Sequence, residues 1–326
     1  MSLSYSLRLF CILIVVAGLV LALAQLAPAL FAPRILRRLE TVTARRRERL
    51  LYLLQIGPAL VSVFVAVVLC LPAYLWCEPR GGSERVSIVC VVLAAGLGLW
   101  FAAALLRGLR LTLRTLRFAH RCRHAGLPLG DDHALAILAL PDPGRPVALI
   151  GFLRPLVLVS DGFVRLARAL HPDAFALALA HERSHVAHRD NWKLLTLSLL
   201  PRLPRFPGGG DPWRRPWQTA ADWAADDDAV CGDPARALLL ANILVQAARC
   251  ACAPRPPVLS SALTSAETSL AARVYRLTNP PGEPIPAAPS ILTDVAAIAG
   301  LAAAAVLMLS PWIYSLSEWL LHLGAA

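Results

Sequence analysis

Lysine is nearly missing from this 326-residue chain. Of its 32 basic residues one, Lys193, is a lysine and the rest are arginines. Charge of either sign is scarce: Asp, Glu, Lys and Arg make up 16% of the chain, against about 25% in an ordinary soluble domain. With 57% hydrophobic residues beside it, that scarcity excludes disorder, which needs few apolar residues and much charge. It also argues against a soluble globular protein. Clustered cysteines are absent. The eight cysteines (Cys11, Cys70, Cys77, Cys90, Cys122, Cys231, Cys250 and Cys252) form no CxxC pair, and three lie inside long apolar runs. A metal ribbon or a secreted disulfide framework needs clustered spacings, so these residues read as small apolar fillers.

What the chain has instead is long apolar stretches. Four are long enough to cross a bilayer, which takes about 20 helical residues: Leu9–Phe31, Leu51–Trp76, Val86–Leu106 and Ile291–Leu316. The first three carry no charge, and the fourth carries Asp294 at its mouth. Ala22-Leu23-Ala24 resembles a signal-peptide cleavage site, but the apolar run is longer than the usual signal core.

The net charge of +11 is concentrated in two blocks. Arg34, Arg37, Arg38, Arg45, Arg46, Arg47 and Arg49 lie between the first two stretches, against Glu40 and Glu48. Arg107, Arg110, Arg114, Arg117, Arg121 and Arg123 follow the third, while Glu78, Arg80, Glu84 and Arg85 balance between the second and third. Positively charged loops stay in the cytoplasm. The expected orientation therefore has the N-terminus outside, the first loop inside, the second outside, residues 107–290 inside and the C-terminus outside. The arginines read as topology anchors beside anionic lipid. Without interleaved aromatics, direct nucleic-acid binding is not expected. The leucines of 107–123 fit either a continuation of the third helix or a surface segment.

The region between the third and fourth stretches is of single-domain size. It opens with short apolar runs, His133–Leu140, Val147–Phe152 and Leu156–Ser160, separated by Pro141-Asp142-Pro143-Gly144 and by Arg154-Pro155. Such runs between Pro and Gly predict strands, here a small antiparallel sheet. His171-Pro172-Asp173 then signals a helix start. The helix over 173–191 contains His181-Glu182-Arg183-Ser184-His185, an HExxH sequence.

Residues four apart share a helix face, so both imidazoles point the same way and suit one zinc ion. The intervening Glu182 suits the general base that takes a proton from an attacking water. The residues before His181 are Phe175-Ala-Leu-Ala-Leu-Ala180, so polar groups appear abruptly on a face that is expected to be buried. Buried polar groups need partners, and a metal supplies one. A catalytic zinc wants a third protein ligand and one open position. The best source downstream is Trp217–Val230, where Asp222, Asp226, Asp227 and Asp228 are set among alanines and tryptophans. Asp222 and Asp226 share a face. His188 suits the helix end, where a cation favours the dipole, and Asp190 and Asn191 suit helix termination or backbone bonds. The apolar Leu194–Leu200 is too short to span, and with the Pro- and Gly-rich loop after it is expected to pack on the membrane face or against the spans.

These residues carry a family resemblance. HERSHVAHRDN, His181–Asn191, resembles the HExxH helix of the BlaR/MecR-type membrane metallopeptidases. Ala220–Val230 resembles their second motif, in which a glutamate precedes Ala-Asp by three residues. Gly151–Phe163 resembles the strand segment before the helix, and Ala271–Leu277, with Arg273, a short element near the domain's end. The match covers roughly residues 130–280. Aligning Ala225-Asp226 with the family's Ala-Asp places its metal-binding glutamate at Asp222. Asp222 is then the expected third ligand, Asp226 orients a ligating histidine, and Asp226 itself is the next candidate. Aspartate is one methylene shorter than glutamate, so its helix must come closer by roughly 1–1.5 Å.

The resemblance implies a mainly α-helical integral membrane protein of a bacterial-type inner membrane. Three transmembrane helices fill 1–107, a cytoplasmic α+β zincin-like domain fills 108–290, and a fourth helix lies in 291–326. The implied activity is zinc endopeptidase cleavage of a protein substrate, such as a transcriptional repressor, in signalling. The chain stops soon after its fourth stretch, so the family's extracellular sensor is expected to be missing. HtpX-type quality-control proteases share the HExxH and Glu-x-x-Ala-Asp logic and are the nearest alternative. A non-catalytic membrane signalling protein that retains the fold is the other.

Overall fold

The computed structural model describes residues 4–77, 87–132, 135–140, 146–203, 212–250, 260–262 and 267–279. The fourth apolar stretch lies outside the described residues, as do the proline-rich segments 253–257 and 280–289.

Three described helices are long and apolar enough to cross a membrane: Tyr5–Leu30, Ala44–Trp76 and Ile88–Ala125. The first is α1. A short helix, α2 (Ala32–Arg38), follows with proline in its first turn. The second span comprises α3 (Ala44–Phe64), a π-helical segment Val65–Cys70 and α4 (Leu71–Cys77). The third is α5 (Ile88–Ala125). No more than a third of each apolar window is buried inside the protein, and Phe10, Leu60, Val63 and Leu99 stand exposed on these helices. Large exposed apolar surface of this kind marks contact with lipid or another protein. Val16, Val20 and Val65 pack together, as do Cys11, Val15, Cys90 and Ala94, so α1 lies between α3 and α5.

Both basic blocks are helical rather than loops. α3 begins at Ala44, which places Arg45, Arg46, Arg47 and Arg49 on its first turns. α5 continues unbroken to Ala125. At 1.5 Å per residue its 38 residues extend about 57 Å, nearly twice the roughly 30 Å hydrocarbon core. Its second half therefore reaches into the rest of the protein.

There it covers a sheet. The described strands are β1 (Leu127–Asp132), β2 (Leu135–Leu140), β3 (Val147–Ile150), β4 (Leu156–Ser160) and β5 (Ser260–Ala262), in the order β1-β2-β4-β3-β5. β2 and β4 pair in parallel, which corrects the expected all-antiparallel sheet. The other pairings are antiparallel. Alternate residues face opposite ways along a strand. Val147, Leu149, Val157 and Val159 join one core with Phe163, Leu177 and Leu244, whereas Ala148, Ile150, Leu156 and Leu158 join another with Ala119 and Cys122 of α5. Burial on both faces explains why these strands read as continuous apolar runs.

On the first face lie α6 (Asp161–Leu170), α7 (Ala174–Ala187), α10 (Pro234–Cys250), α11 (Glu267–Thr278) and the end of α9 (Arg214–Val230), while α8 (Asp190–Leu199) belongs to a separate core. The Ser160 hydroxyl accepts from the Phe163 N–H and caps α6. As expected, α8 packs on the spans. Leu194, Leu195 and Leu197 join Leu51 of α3 and Trp217 of α9 in one core. Just after α8, Gln25 of α1 donates to the Pro201 carbonyl at 2.8 Å and Trp100 of α5 donates to the Arg202 carbonyl at 2.9 Å.

The α5–α8 crossing depends on Gly108. A Cβ there would meet Leu199 Cδ2 at 2.4 Å and Leu199 Cα at 3.2 Å, whereas a Cβ on Gly96 meets nothing within 4 Å. Overpacking of this kind costs about 1–3 kcal/mol, while removing an unneeded helical glycine gains about 0.5–1 kcal/mol. Gly108→Ala is expected to lower the melting temperature of the detergent-solubilised protein, and Gly96→Ala is expected not to. Equal melting temperatures would show that the crossing does not need this close approach.

Candidate metal centre

His181, Glu182 and His185 all lie on α7 and are at most 1% exposed. The four-residue spacing brings the two imidazoles together edge to face, with Nε2 of His181 3.3 Å from Nε2 of His185. Asp222 comes from α9, 7% exposed, with Oδ1 3.7 Å from His185 Nε2. One ligand atom from each of the three lies within 4.8 Å of the others. Bonds of about 2.0–2.1 Å in a tetrahedral arrangement would hold donor atoms about 3.3 Å apart, so this donor set fits a single small ion. The shorter aspartate reaches because α9 is small-sided here. Ala220, Ala221, Ala224 and Ala225 are all buried, and side chains of that size let helices approach closely.

Each far ring nitrogen faces a carboxylate. His181 Nδ1 lies 2.9 Å from Asp226 Oδ1, and His185 Nδ1 lies 2.7 Å from Asp190 Oδ2. A carboxylate on Nδ1 keeps the proton there and leaves the Nε2 lone pair for a metal, the arrangement that usually backs a ligating histidine. Asp226 in turn accepts from Arg273 of α11, through Nε at 2.8 Å and Nη2 at 2.6 Å. Asp190 accepts from Lys193 at 2.9 Å.

The sequence placed Asp226 behind a histidine but gave Asp190, Lys193 and Arg273 no place at the centre. Asp190 was expected to end a helix or bond to the backbone, yet it binds His185. The chain breaks after α7 at Arg189, whose φ of 54° is left-handed, and this turn swings Asp190 back beneath the ring. No local pattern announces such a turn at an arginine. Arg273 did leave a signal, because Leu270, Arg273 and Leu277 recur on one helical face, and Leu277 is buried. Asn191 does bond to the backbone. Its Nδ2 donates to the Gly151 carbonyl at 2.7 Å, where a φ of +87° at Gly151 turns the chain at the end of β3. His188 caps the end of α7, with Nδ1 2.8 Å from the Ser184 carbonyl. The other two acids of α9 face outward: Asp227 accepts from Arg276 at 2.6 Å and Asp228 from Ser184 at 2.6 Å.

The buried charges shift one another. Burial raises Asp226, but the Arg273 charge and the bonds from His181 and Arg273 outweigh it and hold the carboxyl far below its ordinary range. Burial prevails at His181 and lowers it despite Asp226. At His185 burial also acts downward, but the hydrogen bond and charge of Asp190, with the charges of Glu182 and Asp222, raise it to about 9. Asp190, against its own burial, is brought down to about 2 by His185 and Lys193.

A metal needs neutral imidazoles, so binding below about pH 9 displaces the His185 proton. Affinity therefore rises with pH and levels off above the His185 value. Zinc titrations against a chelator are expected to give about a tenfold gain per pH unit between about pH 6 and 8, with proton release on binding. A pH-independent affinity across that range would contradict the participation of His185.

No protein-family model matches the chain, and no curated protein matches it.

Proposed function

We propose that this chain is a membrane-embedded zinc endopeptidase of the HExxH type. The observation that carries the reading is the convergence of two imidazole Nε2 atoms and one carboxylate on a point, with each Nδ1 backed by a carboxylate and with Glu182 buried beside them. A zinc ion held by His181, His185 and Asp222 would polarise an amide carbonyl and bring a water's pKa near neutrality. Glu182 then accepts the proton of the attacking water on a carboxylate oxygen and returns it to the leaving amide nitrogen. Asp226 and Asp190 keep the imidazoles in the tautomer that faces the centre.

The three membrane-length helices support a multi-pass membrane protein; the fourth span rests on the apolar stretch Ile291–Leu316 of the sequence, and the inner-membrane, cytoplasm-facing orientation on the arginine blocks at the foot of α3 and along α5. The substrate is then a cytoplasmic or membrane-proximal protein. By resemblance to the BlaR/MecR-type peptidases, it is a transcriptional repressor whose cleavage relieves repression. A substrate segment could add as a strand at a sheet edge, and β1 and β5 form the edges among the described strands. An HtpX-type quality-control role rests on the same motif. The non-catalytic reading is favoured by one observation, the aspartate at 222 where the resembling families carry glutamate.

The purified full-length protein is expected to cleave a peptide library, and Glu182→Gln to lose about 10²–10⁴-fold while keeping its zinc. Asp222→Ala is expected to lose zinc. Equal cleavage by wild type and Glu182→Gln would exclude the peptidase, and undiminished zinc in Asp222→Ala would remove that residue from the site.

A further inference from the structure

Glu48 belongs to the first basic block, on the second helical turn of α3, yet it is fully buried. Its Oε1 accepts from Lys193 Nζ at 2.9 Å and from the Trp217 indole at 3.0 Å. The same Lys193 Nζ donates to Asp190 Oδ1 at 2.9 Å, and Asp190 Oδ2 holds His185 Nδ1 at 2.7 Å. A continuous chain of polar contacts therefore runs from the membrane helix α3 to the ring of a candidate metal ligand. The lysine at its middle is the chain's single lysine. An ammonium offers three donors on a flexible stem, which suits a group that must serve two carboxylates at once.

We propose that Glu48 is a positioning residue of the metal centre: through Lys193 and Asp190 it fixes the orientation of His185. The proposal rests on the metal-centre reading given above. A simple packing role accounts poorly for the arrangement. A buried ion pair is often replaceable by apolar side chains without loss of stability, and Glu48 Oε2 has no hydrogen-bond partner among the described residues. The rest of the foot of α3 is fixed against the same helices. Arg45 Nη2 donates to Ser184 Oγ, beside His185, at 3.1 Å, and also reaches Asp228 of α9. The Arg47 guanidinium lies 5.4 Å from the Trp223 ring, next to Asp222. These contacts give Glu48 a fixed place beside α7 and α9.

The test uses the full-length protein in detergent, titrated with Co²⁺, whose visible bands report ligand geometry. Glu48→Leu is expected to shift those bands and to weaken cobalt binding severalfold, less than the about 10–100-fold loss that follows removal of a direct partner of a metal ligand. Trp217→Phe removes the other bond to Glu48 and leaves the Lys193 link intact, so its bands are expected to stay where the wild type has them. Glu48→Gln keeps the side chain's size and an acceptor oxygen for Trp217 while removing the charge that pairs with Lys193. It carries the test if the leucine variant does not accumulate, with a weakening in the same direction expected. Wild-type bands and affinity in the Glu48 variants overturn the proposal, as does an equal shift in Trp217→Phe. A wild-type protein that takes up no cobalt overturns the metal centre itself, and this inference with it.

Discussion

The interaction on which the structure depends is the pairing of buried carboxylates with buried cations and imidazoles around α7. Glu48, Glu182, Asp190, Asp222 and Asp226 are all at most 7% exposed. An ionised carboxylate in such surroundings is strongly unfavourable unless it is paired and hydrogen-bonded. That constraint dictates which elements must meet. Asp226 requires Arg273, so α11 docks against α9. Asp190 requires His185 and Lys193, so the chain must reverse at Arg189 and start α8 beneath α7. Glu48 requires Lys193, so the foot of α3 must sit against α8 and α9. The Nε2 atoms of the two histidines and the Asp222 carboxylate then face one another at the centre of that shell.

The same constraint joins the membrane part to the rest. α5 crosses the apolar zone and continues as the cover of one sheet face, and α3 ends in the polar network behind His185. The candidate site is therefore built onto the feet of the spanning helices rather than tethered to them by linkers. Two of the first block's arginines, Arg45 and Arg47, engage α7 and α9, so the block expected to orient the chain in a membrane also ties its helices together.

Periodic and punctuated features were legible in the sequence. The apolar stretches, the strands bounded by Pro and Gly, the HExxH face and the shared face of Asp222 and Asp226 all follow from spacing alone. The parallel pairing of β2 with β4 was not legible, because strands buried on both faces lose the alternation that would reveal their partners. Asp190 was hidden by a left-handed turn at a residue type that seldom adopts one. Glu48 was hidden by company: a glutamate in a block of seven arginines reads as a surface charge, and only its burial against Trp217 and Lys193 shows otherwise. The reach of Asp222 was a question of distance between helices, which the alanines of α9 answer once α7 is known to be their neighbour.

The central claim is that His181, His185 and Asp222 hold one zinc ion. X-ray absorption at the zinc edge of the purified full-length protein addresses it most directly. The account predicts about one zinc per chain in a four-coordinate shell of nitrogen and oxygen at about 2.0–2.1 Å, with the outer-shell scattering of two imidazoles. A sulfur shell at about 2.3 Å, or a shell without imidazole scattering, would contradict it.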